Sequence, residues 1–311
     1  MRVINRIAGY CTEYLVLWVI VAVALAYLFP QWFVPLKAFM EWFFACTMFG
    51  IGALLSVDDF EPIFRRPRTV LLGVLAQFAI MPTAAFVIVR ALRLPPELAF
   101  GLILAGAVPD AMAAGVMSYV AEADVALSVS LTTGTTLISP VVTPALVYVF
   151  AREYVPVQVL PMLVSIMLMV ILPLCAGLTV RHYFQRQVEK IRSIFPAFST
   201  LFIAFICALV VALNRQSLGR VTGLVFVAVA LLNFAGLILG YWAGKLFGFD
   251  LRQRRTLAIG VGMQNAGLGA VLAIKYASAE AAIPNALFAT WCIVTAAVLA
   301  GVWSRRAIIT Q

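Results

Sequence analysis

The sequence predicts an all-α protein that crosses a membrane many times, and three observations carry that expectation. Hydrophobic residues make up 64% of the 311 and charged residues 11%, less than half the roughly 25% charge of soluble domains. Apolar runs near the ~20 residues that a helix needs to cross a bilayer follow one another from end to end, joined by loops too short to hide a soluble domain. Two of these runs are built to be interrupted. One holds Pro109-Asp110 at its centre, and the other gathers Gly260, Gly262, Gln264, Asn265, Gly267 and Gly269. Glycines lower the cost of leaving a helix, and amides are costly at mid-bilayer depth unless they face protein, water or a ligand.

Ten spans are expected, at about 12–29, 36–56, 69–92, 97–121, 124–150, 156–180, 196–214, 221–245, 254–277 and 283–303. The first three are apolar runs of crossing length. In the fourth, Pro109 cannot donate a helical hydrogen bond and disfavours helix at Val108, so the helix stops there. The fifth begins after Asp124, a capping residue. The ninth is expected to unwind around its glycines, and the tenth is again continuous.

Charge then sets the orientation. The termini and the loops after spans two, four, six and eight hold 15 of the 22 lysines and arginines, and the positive-inside rule places both termini in the cytoplasm. The same loops account for the net charge of +9 without nucleic acid or an obligate protein partner; the lipid bilayer is the expected surrounding. The first apolar run is long enough to span and is followed by no small-residue cleavage site, so no cleavable leader is expected. Cys11, Cys46, Cys175, Cys207 and Cys292 lack metal-type spacing and read as small core residues rather than disulfides or ligands.

Ten crossings with breaks in the fourth and ninth divide into two units of five, repeat one at about 1–151 and repeat two at about 152–311. An odd number of spans makes the second copy enter the membrane the other way up, an inverted repeat. Paired broken spans in corresponding halves are the best sequence pointer to a transporter's binding site.

Asp110 carries two readings. It sits where a second half-helix would begin, as an N-cap facing the positive end of that dipole. It is also a protonatable carboxylate near the bilayer centre, the kind of group that couples ion movement to transport, and it comes first among the suspected ion-coupling residues. Span five carries Ser128, Thr132, Thr135 and Ser139 on one helix face, either bonding back to their own helix or supplying oxygens to the breaks. In span nine, an unwound stretch would offer the carbonyls of Val261 and Met263 to a cation and amide donors to an anionic substrate group.

The run Val261-Gly262-Met263-Gln264-Asn265-Ala266-Gly267-Leu268, with Ala123-Asp124-Val125-Ala126-Leu127-Ser128-Val129-Ser130-Leu131-Thr132 and Thr143-Pro144, resembles the bile acid:sodium symporter family. The likeness is to bacterial homologues of the apical sodium-dependent bile acid transporter and covers essentially the whole chain. It implies a panel domain of spans one, two, six and seven (about 1–60 and 156–214). A core domain of spans three to five and eight to ten (about 69–150 and 221–303) would complete the fold, with the broken spans crossing in the core. Members of the family carry bile acids or smaller organic anions such as pantoate, usually with two sodium ions. By position, Ser128 and Thr132 remain for one sodium site and Gln77, Val261, Met263 and Gln264 for the other. Pro109, Met112 and Asn265 fall at the substrate cavity. A bacterial inner membrane is the implied location.

The departures bear on coupling. Where the family has a Glu two residues before its Gly-x-Gln-Asn motif, this chain has Gly260, and the Ser and Asn ligands after the span-four proline are Ala114 and Gly115. Sodium gives up its hydration only to several oxygens, and a carboxylate helps by neutralising its charge. The first site is therefore expected to be lost and the second, left with neutral oxygens, to be weak. Asp110 would supply proton coupling instead. Met112 stands where the family has a Thr, which favours an amphipathic or steroid-like anion over a small hydrophilic acid. An enzyme is not expected, because His182 is the only histidine and sits in a basic loop, and no cofactor motif is present. A binding or sensor protein on the same fold is the rival to a carrier.

Overall fold

The computed structural model describes residues 15–56, 61–216 and 218–309; the expectation for Cys11 lies outside them. Among the described residues the regular structure is all helical. Seven helices are long and apolar enough to cross a membrane, and three shorter apolar helices accompany them.

The principal helices are α1 (Leu15–Leu28), α2 (Met40–Leu54), α3 (Pro67–Leu92), α4 (Pro96–Ala107), α5 (Ala114–Val120), α6 (Val125–Ala151) and α7 (Val159–Ile166). They continue with α8 (Leu172–Tyr183), α9 (Ile194–Leu213), α10 (Leu218–Leu246), α11 (Leu251–Gly262), α12 (Ala266–Tyr276) and α13 (Ile283–Ile309). Their ends follow local chemistry. Proline at the first position opens α3 and α4, where its missing N–H costs nothing. Asp124 caps α6 by accepting from the Leu127 N–H, as its sequence position suggested. Asp250 and Gln253 form a reciprocal capping box on α11. A π-turn, Met167–Ile171, joins α7 to α8 just before Pro173, absorbing the hydrogen bond that the proline cannot make.

Packing forms two sets of neighbours. Helix α1 lies against α9, and α2 against α8 and α9; α3 packs on α4, α6 and α10, α10 on α11, and α12 on α13. The α2–α8 contact is very close. A Cβ on Gly52 would lie 2.1 Å from the Leu174 carbonyl oxygen, and one on Gly177 would lie 2.1 Å from that of Phe49. Small residues of this kind let helix backbones meet in a membrane.

Burial sorts the helices further. Residues 98–107 of α4 and 266–274 of α12 are buried throughout, whereas Ile20, Trp42, Leu75, Val141, Leu168, Ile238 and Val298 present large apolar surfaces outward. Such a belt exceeds what a water-soluble surface carries and suits lipid. Cys207 and Cys292 are buried, but Cys46 and Cys175 are exposed. The expectation of core cysteines is corrected for those two: they lie on the outward faces of α2 and α8.

Candidate site where the two broken helices meet

The two segments expected to break do so. Helix α4 ends at Ala107, Val108 is extended, and α5 starts at Ala114; α11 ends at Gly262, Met263 is extended, and α12 starts at Ala266. The extended stretches then pair with each other. Asp110 and Gln264 form an antiparallel bridge, the Ala111 N–H donates to Met263 O at 2.8 Å, and the Asn265 N–H donates to Pro109 O at 2.8 Å. Backbone freed from helix in an apolar interior must find partners. Here each break supplies them to the other.

The carbonyls at the broken ends are satisfied by side chains. Thr143 Oγ1 donates to Ala107 O at 2.8 Å, and Asn233 Nδ2 donates to Gly262 O at 2.8 Å. Asn233 Oδ1 in turn accepts from Thr295. Sequence reasoning missed Asn233; its one signal was an amide alone in an apolar run.

Asp110 is 2% exposed. Thr132 Oγ1 donates to its Oδ2 at 2.8 Å and Thr135 Oγ1 donates to its Oδ1. The N-cap reading of Asp110 is thereby corrected. Helix α5 begins four residues later with no side-chain cap, because the hydroxyls of α6 capture the carboxylate first. The hydroxyl stripe on α6 divides accordingly: Thr132 and Thr135 turn to the break, Ser139 bonds back to Thr136 O, and Ser128 Oγ is buried without a partner.

Gln77, on α3, donates from Nε2 to Gln264 Oε1 at 2.8 Å, and Gln264 Nε2 donates to Val261 O at 2.7 Å. Gln77 Oε1 is buried with no partner. Gln77 lines a small cavity whose wall also includes Asp110, Thr135, Gly260 and Val261. From sequence, Asp110 and the neutral oxygens of the second cation set stood as separate features. In the fold Gln77 and Val261 of that set share this wall with Asp110, and a Cβ on Gly260 would lie 3.5 Å from Asp110 Oδ2.

The remaining expected residues fall nearby. Pro109 is buried at the bridge, Met112 and Asn265 are half-buried, and Asn265 Oδ1 caps α12 by accepting from the Leu268 N–H at 3.2 Å. Met263 O accepts from Ala111. In the first set Ala114, Gly115 and Gly260 offer no side-chain oxygen, Thr132 donates to Asp110, and Ser128 Oγ has no partner. In the second set Gln77 and Val261 line the same small cavity as Asp110, and Gln77 Oε1 has no hydrogen-bond partner.

Comparison with known proteins agrees in kind. Residues 42–221 match the model of the Sodium Bile acid symporter family. The chain is 39% identical over 306 residues to "Uncharacterized sodium-dependent transporter YocS" of Bacillus subtilis (strain 168), covering 98% of this chain and 95% of that protein. It is 34% identical to "Probable sodium/metabolite cotransporter BASS1, chloroplastic" of Arabidopsis thaliana, over 84% of this chain and 65% of that one. Identity to "Sodium/bile acid cotransporter 4" of Rattus norvegicus is 28%, over 77% and 57% respectively.

Proposed function

For a chain that belongs to the sodium bile acid symporter family, a family of membrane transporters, we propose a secondary transporter that moves an organic anion by alternating access. In this reading a single carboxylate, Asp110, replaces the pair of sodium sites as the coupling group. The observation that carries it is the pairing of the two breaks through Asp110 and Gln264. An ion or substrate held there touches both interrupted helices at once, so occupancy is linked to their arrangement.

The finer architecture follows the same reading. The ten spans comprise the seven long helices, α1, and the two broken segments 96–120 and 251–276; the two breaks occupy corresponding places in an inverted repeat. The packing of α1, α2, α8 and α9 on one another supports a panel, and that of α3, α4, α6, α10 and α11 supports a core. Substrate would enter between them beside Met112 and Asn265. With Met112 apolar, an amphipathic or steroid-like carboxylate is preferred, in line with relatives described as bile acid and metabolite cotransporters. Cytoplasmic termini are expected from the basic loops, and a bacterial inner membrane from the short loops and the likeness to a bacterial family member.

The test is counterflow in proteoliposomes with labelled taurocholate and labelled pantoate as probes, followed by uptake under an imposed pH or sodium gradient. Saturable counterflow is expected, with gradient-driven accumulation lost in Asp110→Asn while exchange survives. Tight binding of a probe without counterflow would instead identify a sensor on the transporter fold. Undiminished gradient-driven uptake in Asp110→Asn would remove the coupling role. If protons are the coupling ion, the pH gradient alone drives uptake; the orphaned oxygen of Gln77 favours a cation.

A further inference from the structure

The chain that joins α8 to α9 is more than a plain loop. Between two membrane-length spans, Val159–Tyr183 and Ile194–Leu213, it forms a short helix, Gln185–Ile191, on the side where the basic loops place the cytoplasm. Val188 is 3% exposed and holds this helix against the protein, where it packs on α8. Arg181 anchors the approach to it, donating from Nη1 to Ala53 O at 3.4 Å.

Charge on the segment is divided unequally. Glu189 is the one acidic residue between 181 and 194, and it is shared by Arg181 at 4.0 Å and Arg192 at 3.3 Å. Arg186 and Lys190 are exposed, one turn apart and on the side opposite Val188. Among the described residues neither forms an ion pair. Large apolar side chains flank them: Tyr183 is 74% exposed, Phe184 54% and Ile191 43%. A contiguous apolar patch of that kind marks a surface that is covered in use. The adjoining spans continue it, with Leu168, Leu172 and Leu201 outward. Aromatic and basic side chains mixed at the end of a span suit the level where headgroups meet acyl chains.

We propose that the α8–α9 connection is a binding surface for anionic phospholipid headgroups of the surrounding leaflet, with Arg186 and Lys190 taking phosphate and Tyr183, Phe184 and Ile191 resting at the acyl boundary. Two unpaired cations supply the charge complement. Continuity with lipid-facing spans on both sides selects lipid over a soluble anion, which has no use for the apolar flanks. The surface rests on the carrier reading only for its consequence: both adjoining helices belong to the proposed panel, and a panel held to the leaflet is the fixed side against which the other helices move.

The experiment is thermal unfolding of the purified full chain in detergent with added dioctanoyl phosphatidylglycerol, dioctanoyl phosphatidylcholine or glycerol 3-phosphate, at low and high salt. Each basic residue near an anionic surface strengthens binding about fivefold, so phosphatidylglycerol is expected to raise the midpoint at a concentration on the order of tenfold below that of phosphatidylcholine. High salt should shrink the difference. Arg186→Gln with Lys190→Gln is expected to lose the preference while keeping its midpoint in phosphatidylcholine, and Arg186→Lys with Lys190→Arg to retain it. Arg68→Gln with Arg305→Gln removes the same charge from other exposed positions and should also retain it. Equal effects of the two lipids on the unmodified chain would overturn the surface, as would a preference that survives Arg186→Gln with Lys190→Gln. Loss of the preference in Arg68→Gln with Arg305→Gln would overturn it in favour of diffuse charge, and glycerol 3-phosphate acting as strongly as phosphatidylglycerol would overturn it in favour of a soluble anion. A phosphatidylglycerol preference without counterflow would keep the surface and remove the carrier reading; counterflow without the preference would do the reverse.

Discussion

Lys275 Nζ donates to Glu41 Oε2 at 2.7 Å, which ties the last turn of α12 to the first turn of α2. Two further links lie beside it. The Tyr276 hydroxyl bonds to the hydroxyl of Ser165 and to Pro161 O on α7, and Asn214 Nδ2, after α9, donates to Ala279 O. All three join the end of the second broken segment to the helices of the proposed panel. In the proposed alternating-access cycle this end would separate, and a partly exposed ion pair worth about 0.2–1 kcal/mol opens readily.

Cross-linking tests that separation. The thiols of Glu41→Cys and Lys275→Cys, in a chain also carrying Cys46→Ser and Cys175→Ser because those two thiols are exposed, are joined by a short cleavable reagent. Counterflow is expected to stop on cross-linking and to return on cleavage. Full activity with quantitative cross-linking would mean that these ends stay together throughout the cycle.

Removing a donor from Asp110 should weaken the fold. Thr135→Val leaves Oδ1 of a buried carboxylate without its hydroxyl partner, and hydrogen bonds to charged groups contribute about 1.5–3 kcal/mol. The unfolding midpoint of Thr135→Val is expected several degrees below that of Thr135→Ser, which keeps the hydroxyl. Equal midpoints for the two would show that the carboxylate does not depend on this donor.

The positions of the breaks were legible in the sequence, and their meeting was not. Pro109 and the glycines around Gln264 act locally, and α3 and α6 begin and end within two residues of the expected runs. The pairing of Asp110 with Gln264, and of Gln77 with Gln264, depends on how distant segments pack, which local pattern does not encode. Asp110 shows the competition directly: its sequence position offers a cap, and two threonines on another helix take it. The exposure of Cys46 and Cys175 escaped for a different reason. In a membrane protein the lipid face and the buried face are both apolar, so hydrophobicity does not separate them.

Helix approach can be tested by adding one methyl group. Gly177→Ala would place a Cβ 2.1 Å from a backbone oxygen, whereas nothing lies within 4 Å of the Cβ position of Gly223. Overpacking typically costs about 1–3 kcal/mol, and here the obstruction is rigid backbone. Gly177→Ala is expected to lower both yield and midpoint, and Gly223→Ala to change neither. A neutral Gly177→Ala would show that α2 and α8 move apart at little cost.

The caps on the broken ends make the last prediction. Asn233→Leu removes the donor to Gly262 O and leaves the Thr295 hydroxyl with only carbonyls of its own helix. Thr143→Val removes the donor to Ala107 O. An orphaned buried carbonyl costs about 1–3 kcal/mol, and in a bilayer no solvent is at hand to replace the donor. Each variant should unfold several degrees early. Because the two carbonyls end different half-helices, the losses should add in the double variant. If instead the double variant loses much less than the sum, the two breaks form one cooperative unit, as their shared backbone pairing through Asp110 and Gln264 would allow.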